Sequence, residues 1–126
     1  MKRKTIEAMA EAIARTSGYW NADTACYQAR NPGGLVAFKE SHDRDATGLR
    51  VFPSVLDGMQ ALFYDVQLKL EGKARTKLLP SATLADFSEA CGLQRTAAVN
   101  WAAFLRKALD DQTISHKSTI DKFLGE

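Results

Sequence analysis

The stretch Gly48–Gly72 constrains the fold more than any other. An extended piece, Leu49-Arg50-Val51-Phe52-Pro53, runs straight into a segment where Val55, Met59, Leu62, Phe63, Val66 and Leu70 recur at spacings of three and four. That is the period of a helix with a broad apolar stripe. Ser54, with Asp57 three residues on, opens it as a capping box: the serine oxygen takes a first-turn N–H and the carboxylate faces the positive helix end. Gly72 supplies the left-handed C-cap conformation. So wide a stripe needs cover on more than one side, which makes Ser54 to Gly72 the expected central core helix.

Helical signals recur along the chain. Thr5 to Thr16 carries Ile6, Met9, Ala10 and Ile13 on one face and Lys4, Glu7, Glu11 and Arg15 mostly on the other, and stops at Ser17-Gly18. Tyr19 to Gly34 shows no sustained period but holds Tyr19, Trp20, Tyr27 and the turn Asn31-Pro32-Gly33-Gly34. Long loops rich in aromatics tend to carry function. Leu35 to Phe38 and Leu49 to Phe52 are short strand candidates that pair as an antiparallel ribbon around the charged loop Lys39 to Thr47. Downstream of a basic connector, Lys73 to Ser81, Thr83 with Asp86 opens a helix that Gly92 ends. Thr96 to Asp110 forms the next, and Ser118 with Asp121 opens a last one through Leu124. The expectation is a single domain over 1–126, mainly α in an α+β arrangement, with about five helices and a minor two-stranded ribbon.

Composition excludes several classes. Forty-five per cent hydrophobic and 25% charged residues are enough for a core without metals or disulfides. A net charge of +2 gives no strong whole-molecule attraction to nucleic acid or anionic membrane, although Lys2-Arg3-Lys4 and Lys73 to Lys77 are locally basic. Cys26 and Cys91 are the only pair that can form a disulfide; their spacing matches no zinc or redox motif, and free thiols are the preferred reading. No run reaches the ~18 apolar residues of a membrane span. The basic N-terminus continues into an amphipathic helix rather than a signal sequence, so cytoplasmic synthesis without a signal peptide is expected.

Candidate chemistry is sparse. His42 and His116 stand in no ligand-spaced motif, so neither a metal site nor a cofactor is expected. Carboxylates remain: Glu40, Asp43 and Asp45 cluster in one loop, and glycoside cleavage needs a carboxyl made a better proton holder by an apolar wall such as Tyr19 or Trp20. Solvated loop charges are the plainer alternative. Residues 83–109 also permit a helix-turn-helix reading, with Gln94, Arg95, Thr96 and Asn100 on the second helix, although an ordinary helical hairpin is the preferred reading and a nucleic-acid partner is not favoured.

Three motifs in order carry a resemblance. Ala29-Arg30-Asn31-Pro32-Gly33-Gly34-Leu35, then Gly48-Leu49-Arg50-Val51-Phe52-Pro53-Ser54, then Gly58 to Leu62 resemble small phage and prophage proteins of the lysozyme-like class. Those carry N-N-P-G-N-L, G-F-x-V-F-x-[ST] and a helix with G-[IL]-x-A-L. Thr83-Leu84-Ala85-Asp86-Phe87 is similar to that family's T-[IL]-x-[DE]-[IL] helix, and Trp101 to Leu109 to its terminal helix. Ile13-Ala14-Arg15-Thr16-Ser17-Gly18-Tyr19 looks like the I-x-x-E-S-G-[FY] of lytic transglycosylases, in which the glutamate protonates the glycosidic oxygen of peptidoglycan.

The departures fall on polar site residues. Thr16 matches the glutamate; an alternative alignment puts Ser17 there, and neither hydroxyl can act as the acid. The family's N-N-P-G-N reads Arg30-Asn31-Pro32-Gly33-Gly34, and its P-x-x-E-N-D-T segment has no counterpart between Cys91 and Trp101. The resemblance thus implies a lysozyme-like scaffold that binds a glycan strand, or a phage or host protein, in a cleft lined by Thr16, Ser17, Tyr19, Trp20, Tyr27 and Asn31. It also implies virion association or release. Two alternatives stay open: an active peptidoglycan glycosidase or lytic transglycosylase using Glu40 or Asp43, and a nucleic-acid binder acting through 83–109.

Overall fold

The structure, a computed structural model, describes residues 3–124. Its helices are α1 (Arg3–Thr16), α2 (Ala25–Gln28), α3 (Val55–Leu70), α4 (Leu84–Ala90) and α5 (Ala97–Ala108), followed by a 3-10 turn, Ile120–Phe123. Among the described residues β pairing is confined to isolated bridges, so the protein is mainly helical. The chain divides into two compact units, Met1–Ala12 with Asp65–Glu126, and Ile13–Tyr64; α1 and α3 each contribute to both.

In the Ile13–Tyr64 unit one buried polar side chain joins separate stretches of main chain. Asn31 is wholly buried, and its amide nitrogen donates to the carbonyls of Leu35 and Arg50, both at 2.8 Å, while its oxygen accepts the Leu35 N–H at 2.9 Å. The Asn31-Pro32-Gly33-Gly34 turn, closed by Gly34 N–H to Asn31 O, then packs onto α3. A Cβ on Gly58 would stand 2.1 Å from the Arg30 carbonyl oxygen and 2.9 Å from Pro32 Cδ, and one on Gly33 would stand 2.6 Å from Leu62 Cδ1. Gly58 is thus required by close approach of the Arg30 backbone to the helix, whereas Gly33 leaves room for the Leu62 side chain.

The expected two-stranded ribbon is reduced to single bridges, Val36 to Leu49 and Arg44 to Arg50. Three hydrogen bonds explain why. The Phe52 N–H goes to Ala29 O at 2.9 Å, which draws the chain out of the ladder, and the Asp45 carboxylate takes the N–H groups of Thr47 and Leu49, which turns it. Residues 49–51 consequently lie between 35–37 on one side and 43–45 on the other.

On α3 the serine half of the expected capping box forms, with Ser54 Oγ accepting the Asp57 N–H at 3.1 Å, but the Asp57 carboxylate takes the Ser54 hydroxyl at 2.7 Å rather than the Ser54 N–H. Gly72, at φ +72, ends the helix in a Schellman motif, with Lys73 N–H to Leu68 O and Gly72 N–H to Lys69 O. Leu62, Val66 and Leu70 are buried and Phe63 half-buried, but Val55 is exposed, because the first turn of α3 stands outside the core. α1 is the more completely enclosed helix. Ala8, Met9, Ala10, Ala12, Ile13 and Ala14 are all buried, a wider face than Ile6, Met9, Ala10 and Ile13.

In the other unit α4 packs on α5, with Phe87 edge-on to Trp101 at 6.3 Å. The Thr83–Asp86 capping box is complete, and Gly92 closes α4 in a second Schellman motif through Leu93 N–H to Ser88 O and Gly92 N–H to Glu89 O. α5 stops at Ala108 rather than Asp110, since Asp110 adopts φ +50. The capping box expected at Ser118 does not form. Ser118 Oγ instead accepts the Ser115 N–H, and its carbonyl accepts Leu84 N–H beside the Thr83 to Thr119 bridge, which leaves a single 3-10 turn in place of a helix.

Gly58→Ala tests the turn-on-helix contact. Alanine inside a helix is intrinsically better than glycine by roughly 0.5–1 kcal/mol, but a clash with a fixed carbonyl costs about 1–3 kcal/mol. Net destabilisation is expected, read as a lower urea midpoint. Asp86→Asn tests the α4 cap. The Asp86 carboxyl is held below the usual carboxylate range, first by the Thr83 N–H and then by Arg95. Its stabilisation is therefore present above the unfolded pKa of about 3.9 and lost as pH falls through the folded value. The variant should melt lower than wild type at pH 7, with the gap closing below about pH 4.

Candidate functional site

At the end of α1 the Ser17 N–H still bonds back to Ile13 O at 2.9 Å, and Gly18, at φ +76, reverses the chain. Thr24 organises the segment between this reversal and α2. Its hydroxyl lies 2.9 Å from Gly18 O and 2.8 Å from Asn21 O, and accepts the Tyr27 N–H to cap α2, a short helix that the aperiodic sequence between Tyr19 and Gly34 conceals. α2 ends with Arg30 at φ +52, where Asn31 N–H bonds to Cys26 O and Arg30 N–H to Tyr27 O. This delivers the chain directly into the Asn31 turn.

These turns assemble three aromatic rings. Tyr19 is buried, and Trp20 meets it edge-on at 5.0 Å while Tyr27 lies tilted at 6.2 Å. Trp20 is 67% exposed and Tyr27 47% exposed. The buried Tyr19 ring thus contacts both exposed rings. Tyr19, Trp20 and Tyr27 are brought together, with Tyr19 as the buried member.

The remaining residues nominated from sequence fall elsewhere. Asn31 does not line an open surface, because all three hydrogen bonds of its buried amide go to main chain. Ser17 is half-buried, its Oγ 2.8 Å from both Ala14 O and Pro32 O, so it ties the end of α1 to the Pro32 turn. Thr16 is exposed. Glu40 and Asp43 are exposed as well. Asp45 is held below the usual carboxylate range by the Thr47 hydroxyl and by the Thr47, Leu49 and Gly48 N–H groups, which makes it a turn-forming residue.

The 39–50 segment carries cations that sequence reasoning passed over. Arg44 reaches back to the carbonyls of Lys39 and His42, and Arg50 stands over the Phe52 ring at 4.6 Å. His42 meets Phe38 edge-on at 5.0 Å and is held below its usual pKa by partial desolvation and by Arg50, Lys39 and Arg44. Lys39, His42 and Arg44 share one charged loop, but only the antiparallel register brings Arg50 to them, which gives no signal in a linear reading.

The thiols of Cys26 and Cys91 are free. Burial raises both, and the Cys91 thiol is pushed up to about 12. Among the described residues no three His, Cys, Asp or Glu side chains come together as a metal site. No helix among them is long and apolar enough to cross a membrane. The unit that contains α4 and α5 has an open groove of about 550 Å³ between the connector, at Leu78 and Leu79, and α4, at Asp86 and Glu89, and it contains none of the nominated cleft residues. On α5's approach, Arg95 is engaged by Asp86 at 2.5 Å and lies 3.8 Å from Glu89. Compared with family models, with curated proteins and with solved structures, the chain matches none.

The two hydroxyl residues ending α1 separate cleanly in a substitution test. Ser17→Glu places a carboxylate against two carbonyl oxygens and should cost about 2 kcal/mol or more. Thr16→Glu, at an exposed position, should stay within about 1 kcal/mol of wild type. Urea unfolding of both variants measures the difference.

Proposed function

We propose that the chain is a lysozyme-like domain of phage or prophage origin that lacks the catalytic carboxyl and acts by binding a glycan strand through Trp20 and Tyr27. One juxtaposition carries this reading. Exposed Trp20 follows closely on the end of α1, where Thr16 and Ser17 occupy the positions that in the similar family hold a glutamate, and exposed Tyr27, from α2, meets the same Tyr19 ring as Trp20.

The physics of the rings supports a binding role. Trp and Tyr offer large, flat, amphipathic faces at low conformational-entropy cost, and the face here is pre-set by Tyr19. Sugar rings present C–H faces to such surfaces and hydroxyls to water. The three motifs that carry the resemblance also have a shared structural use: the Asn31 turn, the 49–51 segment and Gly58 meet at one point. They are scaffold motifs, and their presence is compatible with loss of chemistry.

Catalysis by the other carboxylates has less support. Glu40 and Asp43 are exposed, without the apolar wall that keeps a general acid protonated. Nucleic-acid binding through 83–109 also has less support, since the cation at the start of that hairpin's second helix, Arg95, is already engaged by Asp86. A phage or host protein remains the second class of occupant for the same aromatic surface, because exposed Trp and Tyr also serve protein contacts.

Sedimentation with purified peptidoglycan, with a parallel assay for soluble fragments, tests the proposal. Wild type should bind and release none. Trp20→Ala should weaken binding at least tenfold, about 1.4 kcal/mol, without lowering the melting temperature. Fragment release at an enzymatic rate, or equal binding by wild type and Trp20→Ala, contradicts it.

A further inference from the structure

Arg44 and Arg50 face each other across an isolated antiparallel bridge. The flanking bonds, Asp45 N–H to Leu49 O and Val51 N–H to Asp43 O, both 2.9 Å, make this a non-hydrogen-bonded pair. In that geometry the Cα atoms approach to about 4.5 Å and opposite side chains come nearest. Two like charges placed there destabilise the pairing.

The fold does not neutralise them. None of the ion pairs of the described residues includes Lys39, Arg44 or Arg50. Arg44 uses part of its guanidinium on the carbonyls of Lys39 and His42. Arg50 is half-buried over Phe52, and among the described residues its guanidinium N–H groups have no protein acceptor. A cation–π contact of this kind holds a guanidinium in place while leaving its N–H fork free. Lys39 stands 5.7 Å from the Phe38 ring centre, and the His42 ring lies against the same Phe38.

The loop's own carboxylates do not fill the gap. Asp45 is occupied by Thr47 and Leu49, and Glu40 and Asp43 are exposed and pair with none of the three cations. An unfilled guanidinium fork beside a second guanidinium, an ammonium and an imidazole matches an anion with several acceptor oxygens.

We infer that Lys39, His42, Arg44 and Arg50 form a binding site for a tetrahedral oxyanion, a phosphate or sulfate group, free or carried as an ester. The site stands on observations separate from the aromatic surface and does not depend on glycan binding. His42 is its natural reporter. The surrounding cations disfavour the imidazolium, so a bound anion that offsets them raises the His42 pKa.

The test is an NMR pH titration of the two imidazoles, with His116 as the internal control. Sodium sulfate, inorganic phosphate and glucose 6-phosphate are each added against sodium chloride of matched ionic strength. The expected result is a saturable rise of about half a pH unit or more at His42, with His116 unmoved. Arg50→Gln should abolish it. Lys39→Gln, at an exposed position, should at least halve the response and keeps the test open if Arg50→Gln does not fold. Tighter binding of glucose 6-phosphate than of inorganic phosphate assigns the site to esters, and equal binding assigns it to the free anion; either supports the inference. Equal movement of His42 and His116, or an unchanged response in both variants, overturns it.

Discussion

The Ile13–Tyr64 unit depends on a buried amide. Asn31 offers donors and an acceptor at one point, and it uses them to join the turn it begins, the segment after that turn and residue 50. No apolar side chain can do this, because the Leu35 and Arg50 main chain would be left unsatisfied inside the unit, at about 1–3 kcal/mol for each group. The surrounding bonds point to the same place. Ser17 reaches Pro32 O, Arg30 Nε donates to Phe52 O, and Phe52 N–H goes to Ala29 O. A short polar network here takes the place that a sheet has elsewhere, which accounts for the reduction of the expected ribbon to bridges.

Local signals were legible in the sequence to the extent that their partners were local. Ser54 with Asp57, Thr83 with Asp86, Gly72 and Gly92 all act within one helical turn of themselves; the last three form as expected, and Ser54 caps α3 through its side chain without the reciprocal backbone bond. Ser118 with Asp121 has the same spelling, yet the bridge to Thr83 claims the backbone first. Val55 fits the helical period but precedes the turn at which α3 becomes covered. A period reports which side of a helix is apolar and not how far along the helix the neighbours extend.

The candidate site shows the same division. Tyr19, Trp20 and Tyr27 were recognisable as an aromatic group, but which ring lies underneath is decided by the Gly18 reversal and by Thr24, not by residue type. Thr16 and Ser17 are neighbours with opposite circumstances, one exposed and one clasped between two carbonyls. Asn31, nominated for the cleft because of its motif, serves the scaffold. Lys39 and Arg44 share a charged loop with His42, but Arg50 joins them only through a register set by Asp45 and by the bond between Asp43 and Val51. Motif residues and site residues are therefore different sets in this unit: the recognisable motifs build the frame, and the exposed chemistry sits on the turns between them.

Hydrogen exchange of Asn31→Ala, followed at the Leu35 amide, is the most direct test of the dependence on Asn31. In the wild type that N–H is bonded to a buried acceptor and should exchange only with opening of the unit. The substitution should remove at least two orders of magnitude of protection there, about 2.7 kcal/mol, and lower protection at Phe52 with it, while Leu93 and Ile120 in the other unit keep most of theirs. Unchanged protection at Leu35 and Phe52 would contradict the account, because the turn would then be held by packing alone and the buried amide would be incidental.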